Sequence, residues 1–252
     1  GGLTKNGTGQ LILSGAATYT GITTITAGAL QANEGTGLAA TFLALNGGAL
    51  QSNGVASFTR NLGTSGNGLF QLNGGGFAAN GGIFTVNIGG SGATQTFGAT
   101  VGTHIGTTLN FGSATANNLT LFENSLDLAG ATRTINVTSG TGGDSAEISG
   151  AIGTSSGSAG LTKAGAGVLT LSGANTYDGV TTVSAGTLVI NGASTLTGGV
   201  AVNGGSLQAN DGAGLNVNNF LTLNAGGTIQ GNGVSAFTRT LGLSGTSKFL
   251  LN

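Results

Sequence analysis

The feature that most constrains this chain is a block written twice. GLTKNGTGQLILSGAATYTGITTITAGALQAN, residues 2–33, returns as GLTKAGAGVLTLSGANTYDGVTTVSAGTLVIN, residues 160–191, with Leu3 matching Leu161 and Tyr19 matching Tyr177. Further along the offset widens: LQANEGTGL at Leu30 returns as LQANDGAGL at Leu207, and FTRNLG at Phe58 as FTRTLG at Phe237. The widening corresponds to one extra stretch in the second copy, GASTLTGGVAVNGGSLQAN over 192–210, which has its own apolar alternation, glycine breaks and closing Asn. It reads as one complete coil of a stack, because inserting a whole coil leaves the contacts of its neighbours intact.

Shorter spacings agree with that unit. AGALQAN at Ala27 is followed by GGALQSN at Gly47, and AGTLVIN at Ala185 by GGSLQAN at Gly204 and GGTIQGN at Gly226. The phrase thus returns at intervals of about 20 residues, the range of a solenoid coil. Within each unit the apolar residues alternate. VLTLSG puts Leu169 and Leu171 on one face and Thr170 on the other, and TLVIN does the same with Leu188 and Ile190. Gly and Asn close nearly every run, supplying positive-φ corners and the makings of stacked amide ladders. Coils of about 20 residues are too short for propeller blades of about 40. The expectation is all-β: a single-stranded right-handed parallel β-helix, or β-solenoid. Residues 1–252 form one continuous segment of a longer repetitive protein, with a long unit over 2–159 and a second, incomplete copy over 160–252.

Composition narrows the chemistry. The chain has 53 Gly, 38% apolar and 5% charged residues, and no Pro, Met, Trp or Cys. Thiol nucleophiles, thiolate metal sites and disulfides are thereby excluded. A formal charge of −1 from scattered single charges offers no basic groove for nucleic acid and no polybasic patch for lipid. No apolar run reaches the length of a membrane-spanning helix, and no secretion signal is visible within these residues.

The second block resembles the passenger-associated β-strand repeat of autotransporters, whose pattern runs roughly G-L-x-K-x-G-x-G-x-L-x-L-S-G-x-N-T-Y-x-G-x-T-T-V-x-x-G-x-L. Gly165, Gly167, Leu169, Leu171, Ser172, Gly173, Asn175, Thr176, Tyr177, Gly179, Thr181, Thr182, Gly186 and Leu188 meet it. Ala17 replaces the asparagine in the first copy. The resemblance implies an exported parallel β-helix displayed at the surface of a Gram-negative bacterium as a stalk or adhesin-like fibre. It implies no catalytic residues, so none are assigned, and no cofactor or metal site is expected.

Other residues can be weighed against that reading. GTSSG, residues 153–157, fits G-x-S-x-G, but a nucleophile elbow at Ser155 needs a following helix, and a triad needs a placed histidine. His104, the one histidine, reads as an exposed or singly hydrogen-bonded residue between Val101 and Ile105. Glu123 with Asp127 and Asp144 with Glu147 are the only close acidic pairs, and they read as solvated loop charges; convergence of the four in one cleft would signal carbohydrate chemistry. GGDSAE at Gly142 lacks the calcium-roll pattern. Arg60 and Arg239 are expected to face solvent at a coil corner. Tyr19 and Tyr177 are expected to pack at corners, with the hydroxyl reaching solvent or backbone. Threonines such as TTIT do not repeat as T-x-T in successive coils, which argues against an ice-like array.

Two shape expectations follow. About 12 to 13 coils rising about 4.8 Å each give a rod of about 60 Å. The end coils expose unpaired backbone edges, so more of the same polypeptide, or other copies of the chain stacked end to end, should continue them. Host or bacterial surface ligands are the other partners expected.

Overall fold

The computed structural model describes residues 1–209, 215, 220–231, 240–241 and 248–251. Every named strand is short, and each strand pair in the described residues is parallel within a five-, twelve-, eight-, three- or two-stranded sheet. The chain is thus a parallel β-solenoid: each strand hydrogen-bonds to its counterpart one coil away. No helix among the described residues is long and apolar enough to cross a membrane.

Register is kept because alternation places one apolar column behind each sheet. In the eight-stranded sheet Phe58, Val86, Phe122, Ile148, Leu171 and Ile190 stack in register, and all are buried. A one-residue slip would turn this whole column to solvent, which fixes the pairing. Phe58 also touches Phe70 and Phe77, with ring centroids 4.9 and 5.2 Å apart.

The short coil expected from the spacing holds only inside the repeated blocks. Leu3 pairs with Thr23 and Thr23 with Leu43, and later Thr181 with Val200. Between the blocks the coils widen: Leu43 pairs with Phe70, Gly76 with Asn110 and Phe84 with Thr120. Fewer coils therefore fit than the expected 12 to 13. The longest sheet has 12 strands, but Thr240–Leu241 and Lys248–Leu251 pair too close in sequence to mark separate coils; at about 4.8 Å per step the sheet spans about 53 Å.

The widening also shifts the frame. Leu3–Lys5 lies in the five-stranded sheet, whereas its equivalent Leu161–Ala164 lies in the twelve-stranded one. Gln10–Ile12 lies in the twelve-stranded sheet and its equivalent Val168–Leu171 in the eight-stranded. The crossover is the pairing of Gly76–Ala78 with Thr108–Phe111. Equivalent faces of the two copies are consequently carried by different sheets.

Glycine is required where a corner meets the corner below. Gly28 and its equivalent Gly186 both have φ near +64°, and a Cβ on either would clash with the carbonyl oxygen of Gly9 or Gly167.

Candidate functional site

The polar chemistry of the described residues is concentrated between coils. Lys163 sits in an inward column with Leu109, Ile135, Val183 and Val202, and its side chain is fully buried. Its ammonium donates to the carbonyls of Ala164, Gly165 and Ala185 at 2.9, 2.8 and 3.1 Å. Two of these belong to its own turn and the third to the next coil. Burial pushes the Lys163 amine down to about 8. Lys5 repeats the arrangement, donating to Asn6, Gly7 and Ala27 carbonyls at 3.0, 2.7 and 3.1 Å. Each lysine thus satisfies corner carbonyls that would otherwise be orphaned inside the stack.

Arg60 does the same for a wider coil, contrary to the expected solvent-facing corner. It is buried and forms a bidentate pair with Glu34, Nε to Oε1 at 2.7 Å and Nη2 to Oε2 at 2.9 Å. Nη2 also donates to the Ala39 carbonyl at 2.8 Å, and Nη1 donates to the Thr41 carbonyl. The cause is strand parity: Arg60 is two residues beyond buried Phe58 and so points the same way. Arg239 lies outside the described residues.

Amide ladders complete the set. Gln10 Nε2 donates to Gln31 Oε1 at 2.7 Å and to Gln51 Oε1 at 3.2 Å, and Asn136 Nδ2 to Asn110 Oδ1 at 3.2 Å. Fully buried Asn175 accepts from the Ile152 N–H at 3.0 Å and donates to Gly173 O at 3.0 Å and Ser194 Oγ at 3.1 Å, joining three coils.

Tyr177 is fully buried, and its hydroxyl meets Thr181 Oγ1 at 2.7 Å instead of reaching solvent or backbone. Burial raises its pKa above the ordinary phenol value, partly opposed by the Thr181 hydrogen bond. Tyr19 is half-buried and meets Thr23 Oγ1 at 2.9 Å; its hydroxyl also reaches backbone, accepting from Ala39 N–H at 3.3 Å.

The residues weighed for catalysis are engaged separately. Glu123 accepts from Asn87 Nδ2 at 2.9 Å, Asp144 from the Gly140 N–H at 2.8 Å, and Glu147 from the Ser172 hydroxyl. Asp127 accepts from Ser155 Oγ at 2.6 Å and from the N–H groups of Ser155 and Ala129 at 2.9 Å each. Burial works upward on Asp127, but these hydrogen bonds and the Arg133 charge outweigh it and hold the carboxyl below its ordinary range. GTSSG follows strand Ile152–Gly153 and continues as a bend, so Ser155 occupies an exposed turn with Asp127 as its partner. His104 is half-buried, with Nδ1 2.9 Å from Thr103 Oγ1. Among the described residues no three His, Asp or Glu side chains form a metal-holding group.

A chain whose motif lysine and asparagine link successive coils belongs to the class of parallel β-solenoid repeat proteins. The passenger-associated-transport-repeat family pattern matches residues 3–32, 161–190 and 185–209. The chain therefore carries the autotransporter passenger repeat, the third match beginning inside the second. No curated protein and no solved structure matches the chain.

Proposed function

We propose that this chain is a non-catalytic structural segment of a passenger exported to the surface of a Gram-negative bacterium, acting as a rigid stalk or fibre in adhesion or biofilm formation. The observation that carries this reading is the in-register ladder of 12 strands, with the lysine, arginine and amide links fastening neighbouring coils. A stack held by backbone pairing and by buried polar links resists bending. The test is to display the chain as a passenger on a non-adherent Gram-negative host and to measure protease resistance, cell aggregation and surface biofilm. Greater aggregation or biofilm than an empty-display control is expected. Display without either, or release of sugars from a polysaccharide, would overturn the reading.

A second reading, a filament protomer, is favoured by comparing the two copies. The Asn175–Thr176 segment lies under an upstream coil, the Thr176 N–H donating to Ile152 O at 2.9 Å and the Ile152 N–H to Asn175 Oδ1 at 3.0 Å, whereas the Gly179 N–H to Ala159 O bond has its counterpart in the first copy, Gly21 N–H to Gly1 O at 2.9 Å. The equivalent segment around Tyr19 is open, with Leu3, Leu13 and Tyr19 lining a cleft of about 360 Å³ and Ile12 and Ile22 more than half exposed. Another coil of the same kind fits this face, from the same polypeptide or from a second copy. Sedimentation velocity at rising concentration should show association that Ile12→Lys abolishes; a concentration-independent monomer would exclude a second copy as the occupant.

A further inference from the structure

A polar-walled cleft opens to solvent beside the amide ladders and shares Gln10, Asn110 and Asn136 with them. It has a volume of about 350 Å³ and runs along the solenoid axis on the outer face of the twelve-stranded sheet. Its floor is one register column, Gln10, Ala29, Ala49, Gly76, Asn110 and Asn136. Six levels at about 4.8 Å per step make a trench about 24 Å long. One wall is the glycine corners, and the other is the turn at residues 113–115, which leans back over the earlier coils. That turn is held by fully buried Gln51, whose Oε1 accepts from Ser113 Oγ at 3.2 Å and Thr115 Oγ1 at 2.9 Å, while Nε2 donates to Thr115 O at 3.2 Å.

The repeat itself does not require this shape. In the second copy the equivalents of Gln10, Ala29 and Ala49 are Val168, Thr187 and Thr228, stacked in register with Ser206 of the inserted coil. The equivalents of Ala29 and Ala49 carry larger side chains, whereas at Gly76 the close Asn110 carbonyl leaves no room for a Cβ. No ionisable side chain lines the trench, which leaves phosphates, polyanions and cations without a charged partner. Its lining offers hydroxyls, carboxamides and exposed backbone, repeated at coil spacing. Peptide recognition takes its specificity from pockets for alternate side chains, and the Ala29, Ala49 and Gly76 stretch of the floor provides none.

We propose that this trench is a binding site for an extended, neutral glycan chain, held by hydrogen bonds to Gln10, Asn110, Asn136 and the turn at 113–115. The binding is non-catalytic, since no carboxyl reaches the trench.

The experiment is titration calorimetry of the whole chain with neutral hexasaccharides of β-1,4-glucose, α-1,4-glucose and β-1,4-N-acetylglucosamine, with oligogalacturonate as the charged counterpart. Two variants fill the trench without disturbing the stack. A Cβ at Gly9 would meet nothing within 4 Å, and Ala114 is exposed in the wall. Gly9→Leu and Ala114→Leu should keep the β circular-dichroism spectrum and melting temperature while lowering affinity for the bound hexasaccharide about tenfold or more, a change of about 1.4 kcal/mol. Oligogalacturonate should bind more weakly than the neutral sugar. The proposal is overturned if no neutral hexasaccharide binds, if both folded variants bind as well as the parent, or if a neutral Gly-Ser-Asn peptide displaces the sugar at equal concentration. Failure here would leave the stalk reading untouched, because that reading is judged by display and adhesion.

Discussion

Replacing Lys163 by Met tests whether a buried ammonium is the link between coils. The unfolded chain holds the Lys163 proton up to about pH 10.5, whereas the folded chain holds it only to about 8. Between those values the unfolded state binds more protons, so the Lys163 contribution to stability rises with pH across this window. The shift corresponds to about 3 kcal/mol at about 1.4 kcal/mol per unit. Nearly all of that penalty is present at pH 7, and most of it, about 2–3 kcal/mol, is relieved by pH 10.

Lys163→Met removes the penalty at pH 7 but orphans the carbonyls of Ala164, Gly165 and Ala185. At about 1 kcal/mol each these losses roughly offset the gain. The variant should therefore be about as stable as the parent at pH 7 and about 2–3 kcal/mol less stable at pH 10. Urea unfolding of both proteins at the two pH values, followed by circular dichroism, gives the difference; Lys5 and every other titrating group cancel in the comparison. A difference that is constant to about 0.5 kcal/mol, or one that shrinks with pH, would refute the reasoning.

Other perturbations test other links. Asn175→Ala should cost about 2–3 kcal/mol in urea unfolding, since it strips a buried Ile152 N–H of its acceptor and Ser194 of its donor. A cost below about 0.5 kcal/mol would show that backbone pairing alone joins those three coils. Arg60→Ala should destabilise by about 2–4 kcal/mol, chiefly by leaving the buried Ala39 and Thr41 carbonyls without their donor; Glu34→Gln, which keeps the carbonyl contacts, should cost less by the same assay. Phe58→Ala should cost about 3–5 kcal/mol, because Phe70 and Phe77 cannot close around the space it leaves; thermal melts read this directly, and an unchanged melting temperature would contradict the packing described.

Much of the fold was legible because a solenoid writes its geometry into spacing. The stretch over 192–210 marks the added coil, and alternation at Leu169/Leu171 and Leu188/Ile190 assigns faces that the structure keeps. The wide coils between the copies escaped, since loops that bulge from a corner leave no period. With them went the coil count and the change of sheet between copies. Lys163 and Arg60 escaped for a different reason. Polarity argues that a lysine or arginine faces water, whereas strand parity argues that a residue two places from Leu161 or Phe58 faces inward. For Lys163, inside Leu161–Ala164, parity decides, because turning one side chain outward would invert every neighbour in its strand; Arg60, just past Ala56–Phe58, keeps the same alternation with Thr59 exposed before it. The cost of burying the charge is then offset by corner carbonyls that have no other donor. The same competition explains why Leu-x-Lys stands before the glycine corner in both copies: the alternation chooses the direction, and the unpaired carbonyls choose the residue.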